Sequence, residues 1–144
     1  MKKIILTVFI SVFILSCSND DGRSNNPNLP SIGFNHTVNL DLPQFNELKF
    51  PGNFEVIRIE GVGIKGVIIY NIDNTLYSAF ELSDPNITPS SCSALSVTGI
   101  RAESNCGNDN AYEIINGQQL EGEGGFPLLR YQIRREGNIL VVSN

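Results

Sequence analysis

The strongest constraint on this chain comes from two cysteines, Cys92 and Cys106, that lie in separate polar loops within residues 83–117. Both loops are rich in Asn, Ser and other turn-forming residues, and a short strand-like run, residues 95–99, lies between the cysteines. If the cysteines pair, they hold the two loops together and restrict how the neighbouring strands can be arranged. The stretch therefore predicts two polar loops that lie side by side.

Residues 1–16 have the pattern of a secretory signal. Two lysines precede an apolar run at residues 4–15, which only Thr7 and Ser11 interrupt. Such a run is too short to cross a hydrocarbon core of about 30 Å as a helix. An ordinary buried helix is the alternative, but the polar tract that follows gives it nothing to pack against.

Residues 14–17, Ile-Leu-Ser-Cys, resemble the lipobox of bacterial lipoproteins, in which the cysteine is lipidated and becomes the first residue of the mature chain. The resemblance implies fatty acyl chains such as palmitate on Cys17. Each buried methylene contributes about 0.8 kcal/mol, and stable anchoring takes more than one chain. We therefore expect a cell-envelope protein that is anchored by lipid to the outer membrane.

The residues directly after the predicted lipidation site are acidic and polar. Residues 18–21, Ser-Asn-Asp-Asp, are similar to the signal that sends some lipoproteins of the Bacteroidetes type to the cell surface. Surface exposure is one interpretation of this pattern. The other is that acidic residues keep a tether solvated.

The remaining chain divides into a tether, residues 17–31, and one domain, residues 32–144. The tether has almost no apolar residue and cannot bury enough surface to offset its ordering entropy. Without Lys2 and Lys3, eight of the 10 basic residues remain against 15 acidic ones, so the mature chain is strongly acidic. This charge argues against binding to nucleic acid and against broad attraction to anionic lipid.

The apolar residues of the domain follow strand patterns. No helical period extends beyond two turns, and a loop is expected around Pro43, Pro51 and Gly52. Two predicted hairpins turn at Asp73-Asn74 and at residues 135–137. The predicted strands outside the cysteine region are residues 37–42, 54–59, 66–72, 75–80, 128–134 and 138–142. About eight or nine short strands predict an all-β sandwich or barrel.

Charged and glycine-rich stretches near the C-terminus have simple interpretations. Arg130, Arg134 and Arg135 are expected on the solvated edge of one strand. Residues 121–125 are glycine-rich, but they are acidic and lack a following Lys-Ser/Thr, so we expect a flexible connection and not a phosphate-binding loop.

Cys92 and Cys106 are the two cysteines left once Cys17 is assigned to the lipid. In an exported protein an isolated pair most often forms a disulfide. Closing this loop would stabilise the fold by about 3 kcal/mol. Two free thiols or a shared metal are the alternatives, and zinc is disfavoured because no histidine lies nearby.

The order of features over residues 61–143 resembles a Rieske domain. An apolar strand and a second strand precede a loop with Cys92, and a short strand then leads to a loop with Cys106; Tyr112, Tyr131 and a final hairpin follow. The family has a β-sandwich or barrel in which two loops bind a 2Fe-2S cluster. A further cysteine in each loop joins the loops by a disulfide, and Cys92 and Cys106 match these cysteines in placement.

The cluster ligands of the family do not match this sequence. Each family loop supplies one Cys and one His, and the corresponding positions here are Asp84, Asn86, Ser104 and Asn108. A Rieske cluster needs two thiolates and two imidazoles. The chain has one histidine, His36, far upstream of both loops. We therefore expect no 2Fe-2S cluster and no other metal cofactor.

The sequence indicates other chemistry in the loops less strongly. Asp84 and Asp109 could form a catalytic carboxylate pair or, with Asn86, Asn108 and Asn110, a calcium site, because calcium prefers oxygen ligands. Turn formation is the simpler reason for these residues. His36 is expected to be a strand-edge residue because no catalytic constellation accompanies it.

Two classes of function remain from the sequence. The first is a non-catalytic lipoprotein with a degenerate Rieske-like domain, which has a structural role or binds a protein or a glycan at the membrane surface. The second is a Rieske-type electron-transfer protein, similar to a 2Fe-2S ferredoxin or to the small subunit of a ring-hydroxylating enzyme or nitrite reductase. An unrelated β-sandwich is a third alternative for the fold.

Overall fold

The computed structural model describes residues 26–144. Within them the chain forms ten strands and one 3-10 helix, so the predicted all-β class is confirmed. The strands, in chain order, are β1 Asn35–Asn39, β2 Phe54–Ile57, β3 Val67–Asn71, β4 Tyr77–Glu81, β5 Ser96–Thr98, β6 Arg101–Glu103, β7 Ala111–Glu113, β8 Gln119–Glu121, β9 Gln132–Glu136 and β10 Ile139–Ser143.

All strand pairs are antiparallel and form three sheets with the orders β1-β10-β9, β2-β3-β4 and β5-β6-β7-β8. The first two sheets are joined where residues 129–131 run beside β4. The amide of Tyr131 donates to the carbonyl of Ala79 over 2.9 Å, and the amide of Glu81 donates to the carbonyl of Leu129 over 2.9 Å. The segment that leads into β9, residues 129–131, therefore connects these two sheets.

The sheet β2-β3-β4 stands between two hydrophobic cores. Val67 and Ile69 of β3 pack into a core shared with β1 and β10, and Ile68 packs into a second core under the four-stranded sheet. Successive side chains of a strand point to opposite faces, so a strand that is covered on both sides reads as a continuous apolar run. This explains why residues 66–72 lack the alternation seen elsewhere.

Both predicted hairpins are present. β3 and β4 pair from Val67↔Glu81 to Asn71↔Tyr77, and Asn74 in their turn has a φ of 69°, as the Asp-Asn pair predicted. The last hairpin pairs β9 with β10, and β9 extends to Glu136. His36 lies in β1, the edge strand of its sheet, in agreement with its predicted place.

The loop predicted around Pro43 and Pro51 is wrong in part, because Pro43–Lys49 form a 3-10 helix. Proline fits the first helical position, since its fixed φ suits a helix and its missing N–H leaves no donor unpaired there. One side chain of this helix, Leu48, is buried, so the segment shows no apolar period in the sequence. No helix in residues 26–144 has the length and apolar character needed to cross a membrane.

Candidate functional site

Two loops meet at the end of β4, and the first begins at Ser83. Ser83 forms a bridge with Ala94, and the amide of Asp84 donates to the carbonyl of Ser93 over 2.8 Å. These contacts keep the chain extended beyond β4. As a result Asp84 is fully buried although it lies in a polar loop.

The disulfide between Cys92 and Cys106 joins the two loops, as predicted. Their Cα atoms are 5.1 Å apart, within the usual range for a disulfide. Between the cysteines the chain forms two strands, β5 and β6, where the sequence indicated one. Gly99 has a φ of 58° in the two-residue turn that links Thr98 to Arg101, a position where glycine is favoured.

Asp84 is the centre of a hydrogen-bond network that crosses the two loops. Its carboxylate accepts from the hydroxyl of Tyr112 over 2.5 Å and from the side-chain amides of Asn108 and Asn110, each over 3.0 Å. It also accepts from the backbone amide of Asn86 over 3.0 Å. The network ties the first loop to the second loop at a point that is separate from the disulfide.

The network shifts the pKa of both of its acidic groups. Burial acts to raise the pKa of Asp84, but the hydrogen bonds from Tyr112, Asn86, Asn108 and Asn110 outweigh it and lower that pKa below its ordinary value. Burial and the bond to Asp84 raise the pKa of Tyr112 far above its ordinary value. Asp84 is therefore an ionised acceptor and Tyr112 a neutral donor at neutral pH.

A third loop, residues 122–126, packs on the other two through asparagine side chains. Asn86 forms a double hydrogen bond with the backbone of Phe126, donating to its carbonyl over 3.0 Å and accepting from its amide over 2.9 Å. The Oδ1 atom of Asn110 accepts from the amide of Glu123 over 3.0 Å. The glycine-rich segment was expected to be a flexible connection, and its hydrogen bonds show that it is part of the site.

Glycine is required at two positions of the third loop. A Cβ atom on Gly122 would lie 2.0 Å from Oδ1 of Asn110, and one on Gly124 would lie 2.2 Å from Oδ1 of Asn86. Both glycines also have positive φ values, 91° and 106°. The absence of side chains thus lets the backbone of the third loop lie directly on the asparagines.

The three loops surround an open cleft of about 740 Å³. It is lined by Asn86, Ile87, Asn108, Asp109, Asn110, Gly122, Glu123 and Gly124. The lining contains two acidic side chains and no basic one. Within residues 26–144, neither Asp109 nor Glu123 forms an ion pair. The cleft is therefore polar and negatively charged. We call the parts of the three loops that surround the cleft, residues 84–87, 106–110 and 122–126, the loop end of the domain.

The structure brings three of the four predicted cluster-ligand positions together. Asp84 contacts Asn108 and Asn86 directly. Ser104 lies outside this network, where its hydroxyl accepts from the amide of Cys106 over 3.4 Å. The sequence named Asn110 as a possible calcium ligand and Tyr112 as a feature of the resemblance, but it did not predict their bonds to Asp84 or the role of the third loop. No local signal marks them, because each bond joins residues that are far apart in the chain.

The side chains at these positions are not suitable ligands for a 2Fe-2S cluster. They supply carboxylate, amide and hydroxyl groups, whereas the cluster requires thiolate and imidazole. Cys92 and Cys106 are held in the disulfide, and the one histidine, His36, lies in β1. Both oxygens of Asp84 accept hydrogen bonds, so they do not face a cation as calcium ligands would. Residues 26–144 contain no cluster of three His, Cys, Asp or Glu side chains suited to a metal.

The N-terminal predictions fall largely outside the described residues. The predicted signal, Cys17 and residues 18–25 all lie outside the described residues. Residues 26–31, which the sequence assigns to the tether, contact the domain. The side-chain amides of Asn26 and Asn28 donate to the carbonyl of Pro85 over 2.8 and 3.0 Å. Leu29 packs against the core shared by β1, β3 and β10.

The all-β order of strands and the two disulfide-linked loops agree with what the Rieske resemblance implies. No family model matches the sequence, and no curated protein matches it. Similar solved structures include ferredoxins and a putative nitrite reductase small subunit.

One similar structure is the ferredoxin of carbazole 1,9a-dioxygenase from Nocardioides aromaticivorans, with 12% identity, a TM-score of 0.45, and coverage of 78% of this chain and 97% of that one. A second is a chain from a complex of reduced oxygenase and oxidized ferredoxin in carbazole 1,9a-dioxygenase. It has 15% identity and a TM-score of 0.47, with coverage of 79% of this chain and 94% of that one. A third is a putative NADH-dependent nitrite reductase small subunit from Mycobacterium tuberculosis, with 17% identity, a TM-score of 0.44, and coverage of 79% of this chain and 97% of that one. At these values we draw no functional conclusion from the similarity.

Proposed function

We propose that this protein is a non-catalytic envelope lipoprotein whose loop end recognises a partner without a 2Fe-2S cluster. Lipid on Cys17 attaches it to the outer membrane, with the domain exposed at the membrane surface. The partner is a protein or a glycan. The acidic charge of the chain argues against a nucleic-acid partner.

The observation that supports this proposal is the hydrogen-bond network around Asp84. Asp84, Asn86 and Asn108 occupy positions where the resemblance places cluster ligands, and here they bond to one another and to Tyr112. Every buried side-chain polar atom in residues 26–144 has a hydrogen-bond partner. A fully paired network stabilises one arrangement of the loops.

Rigid loops suit recognition because little conformational entropy is lost when a partner binds. The disulfide, the Asp84 network and the bonds from Asn86 and Asn110 to the third loop each fix the walls of the cleft. Asp109 and Glu123, which form no ion pair within residues 26–144, disfavour anionic ligands. We therefore expect a neutral or cationic partner group.

The decisive test of the cluster-free proposal is the iron content of the purified mature lipoprotein. The protein is produced in cells with enhanced iron-sulfur assembly and purified without oxygen. We expect no stoichiometric iron or sulfide and no 2Fe-2S signal in absorbance or EPR spectra. A stoichiometric cluster would instead establish the alternative, a Rieske-type electron-transfer protein with unconventional ligands.

The anchor is tested separately with Cys17→Ser, which removes the lipidation site and leaves the domain unchanged. We expect the parent protein in the membrane fraction and the variant in the soluble fraction. Protease treatment of intact cells then reports whether the domain is on the cell surface. Equal membrane association of the two proteins would contradict the lipid anchor.

A further inference from the structure

The chain enters the domain at its loop end. Asn26 is buried, and both Asn26 and Asn28 donate side-chain hydrogen bonds to the carbonyl of Pro85. The amide of Asn28 also donates to Oδ1 of Asn26 over 2.9 Å, which fixes the geometry of the pair. Pro85 follows Asp84 in the first loop of the site. The segment that leads to Cys17 therefore leaves the domain beside the cleft.

The two ends of β4 define opposite ends of the domain. Glu81 ends the strand on the side of the loop end, and Tyr77 begins it after the turn at residues 72–76. Arg135 donates to the carbonyl of Asn74, which places the β9-β10 hairpin beside that turn. We call these two turns, residues 72–76 and 137–138, the turn end. An extended chain from Asn74 to Asp84 covers about 30 Å.

The distance from the anchor to the loop end is limited by chain length. Nine peptide steps separate Cys17 from Asn26, and they span at most about 30 Å when fully extended. The turn end lies up to about 30 Å farther along the domain. If the acyl chains on Cys17 are in the bilayer, the loop end is the part of the domain that is held close to it.

We infer that the loop end faces the membrane that carries the anchor, and that the cleft binds a basic segment of a protein in that same membrane. This inference rests on the proposed lipid anchor. Anionic headgroups do not fit the cleft, because Asp109 and Glu123 line it without a basic residue. A cationic side chain complements both carboxylates, which have no ion-pair partner within residues 26–144.

The orientation is tested with the full mature lipoprotein in phosphatidylcholine vesicles that carry an acceptor dye on the lipid headgroup. A donor dye is attached to Glu123→Cys at the loop end or to Thr75→Cys at the turn end. We expect energy transfer to the membrane to be roughly twofold higher from position 123, because of the difference in distance. Equal transfer, or higher transfer from position 75, would overturn the orientation.

The contact with Pro85 provides the matched control. In the double variant Asn26→Ala/Asn28→Ala both donors to Pro85 are lost, and the two dye positions should then differ less. An unchanged difference would show that these asparagines do not set the orientation. A protein that does not bind the vesicles at all would overturn the inference through its anchor, but the iron measurement on the loops would remain valid.

The partner is tested in intact cells with a photo-crosslinking residue at Ile87, which lines the cleft, and at Thr75 as the control position. We expect crosslinks to an integral membrane protein from Ile87 alone. The double variant Asp109→Asn/Glu123→Gln should lower their yield about fivefold, the factor expected when two exposed ion pairs are lost. Three results would contradict the inference: equal yields from both positions, the same yield with and without the double variant, or crosslinks to lipid alone.

Discussion

Two buried carboxylates lie three residues apart at the end of β4, and they stabilise different parts of the molecule. Glu81 accepts a hydrogen bond from the hydroxyl of Tyr131 over 2.5 Å, and Asp84 accepts one from the hydroxyl of Tyr112 over 2.5 Å. Both carboxylates are fully buried. The remaining donors of the two groups are of different kinds.

Glu81 is held by backbone groups. It accepts from the amides of Ile64, Lys65 and Ser83 over 2.7 to 2.8 Å. A backbone amide cannot turn its N–H away without moving the chain. The cradle around Glu81 therefore fixes the loop that precedes β3 to the end of β4.

Asp84 is held mainly by side chains, the amides of Asn108 and Asn110. A side-chain amide can rotate and present its oxygen, at the cost of its own second hydrogen bond. The loop end is rigid while its network is fully paired, but its side-chain donors can accommodate a changed acceptor better than the backbone donors at Glu81 can.

The largest expected effect is that of Glu81→Gln. The substitution replaces one carboxylate oxygen by an NH₂ group, which then faces a backbone N–H of Ile64, or of Lys65 and Ser83, and leaves it without an acceptor. We expect a loss of about 4 kcal/mol in the free energy of unfolding. Urea unfolding of the oxidised protein measures it.

Tyr131→Phe is the matched control for Glu81→Gln. It removes one donor and retains the three backbone bonds, so we expect a loss of about 1 to 2 kcal/mol. Equal losses in the two variants would show that the backbone cradle contributes little. The comparison between backbone and side-chain donors would then fail.

The disulfide should have the next largest effect. In the double variant Cys92→Ser/Cys106→Ser we expect the free energy of unfolding to fall by about 3 kcal/mol, the value for a loop of this length. Hydrogen exchange should increase at residues 106–110 and remain slow in β3 and β4. A uniform increase in exchange would show that the loop end and the sheet β2-β3-β4 are one cooperative unit.

The sequence predicted the longer strands of the first two sheets well, because burial on one or both faces leaves a clear pattern. The β3-β4 hairpin was predicted with its turn, since Asn74 tolerates a positive φ. Short elements were missed. Strand β6 has three residues and one of them, Ala102, is buried, so its pattern is too short to distinguish from a loop.

The site was predicted in its position but not in its bonds. The cysteine pair indicated that two loops lie together, and the disulfide confirms this. The side-chain partners of Asp84 are 24 to 28 residues away in the chain, and no local period relates them. The role of the third loop depends on contacts of Gly122 and Gly124 with asparagines from two other loops. Such contacts exist only once the fold is formed.

Asp84→Asn should be milder than Glu81→Gln, because the amides of Asn108 and Asn110 can rotate to meet the new NH₂ group. We expect a loss of about 2 kcal/mol at neutral pH. The pKa of Asp84 is lowered in the folded state, so its ionised form contributes stability above the unfolded pKa near 3.8, and this stability is lost as the pH falls through the folded pKa.

Urea unfolding of Asp84→Asn and the parent at neutral and acidic pH tests this prediction. The difference between the two proteins should be full at neutral pH and should shrink in acid. A difference that stays constant down to the acid transition would indicate that Asp84 is already protonated in the folded protein. A loss as large as that of Glu81→Gln would mean that side-chain donors adjust no better than backbone ones.

The smallest effect concerns two adjacent glycines of the third loop, Gly124 and Gly125. Both have positive φ, 106° and 78°, so alanine introduces backbone strain of about 1 kcal/mol at either position. They differ in surroundings, since a Cβ on Gly125 meets nothing within 4 Å, whereas one on Gly124 meets Oδ1 of Asn86 at 2.2 Å. Gly124→Ala must therefore also displace Asn86 from Phe126, and we expect it to cost about 1 kcal/mol more than Gly125→Ala.

The additional cost has a local readout that strain alone would not produce. NMR of the two variants should show a shift of the Asn86 side-chain amide and faster exchange of the Phe126 amide in Gly124→Ala but not in Gly125→Ala. Equal stability and equal spectra in the two variants would show that the third loop moves freely away from Asn86. The loop end would then have two rigid loops instead of three. It would differ from the surroundings of Glu81 in the mobility of its backbone as well as in its use of side-chain donors.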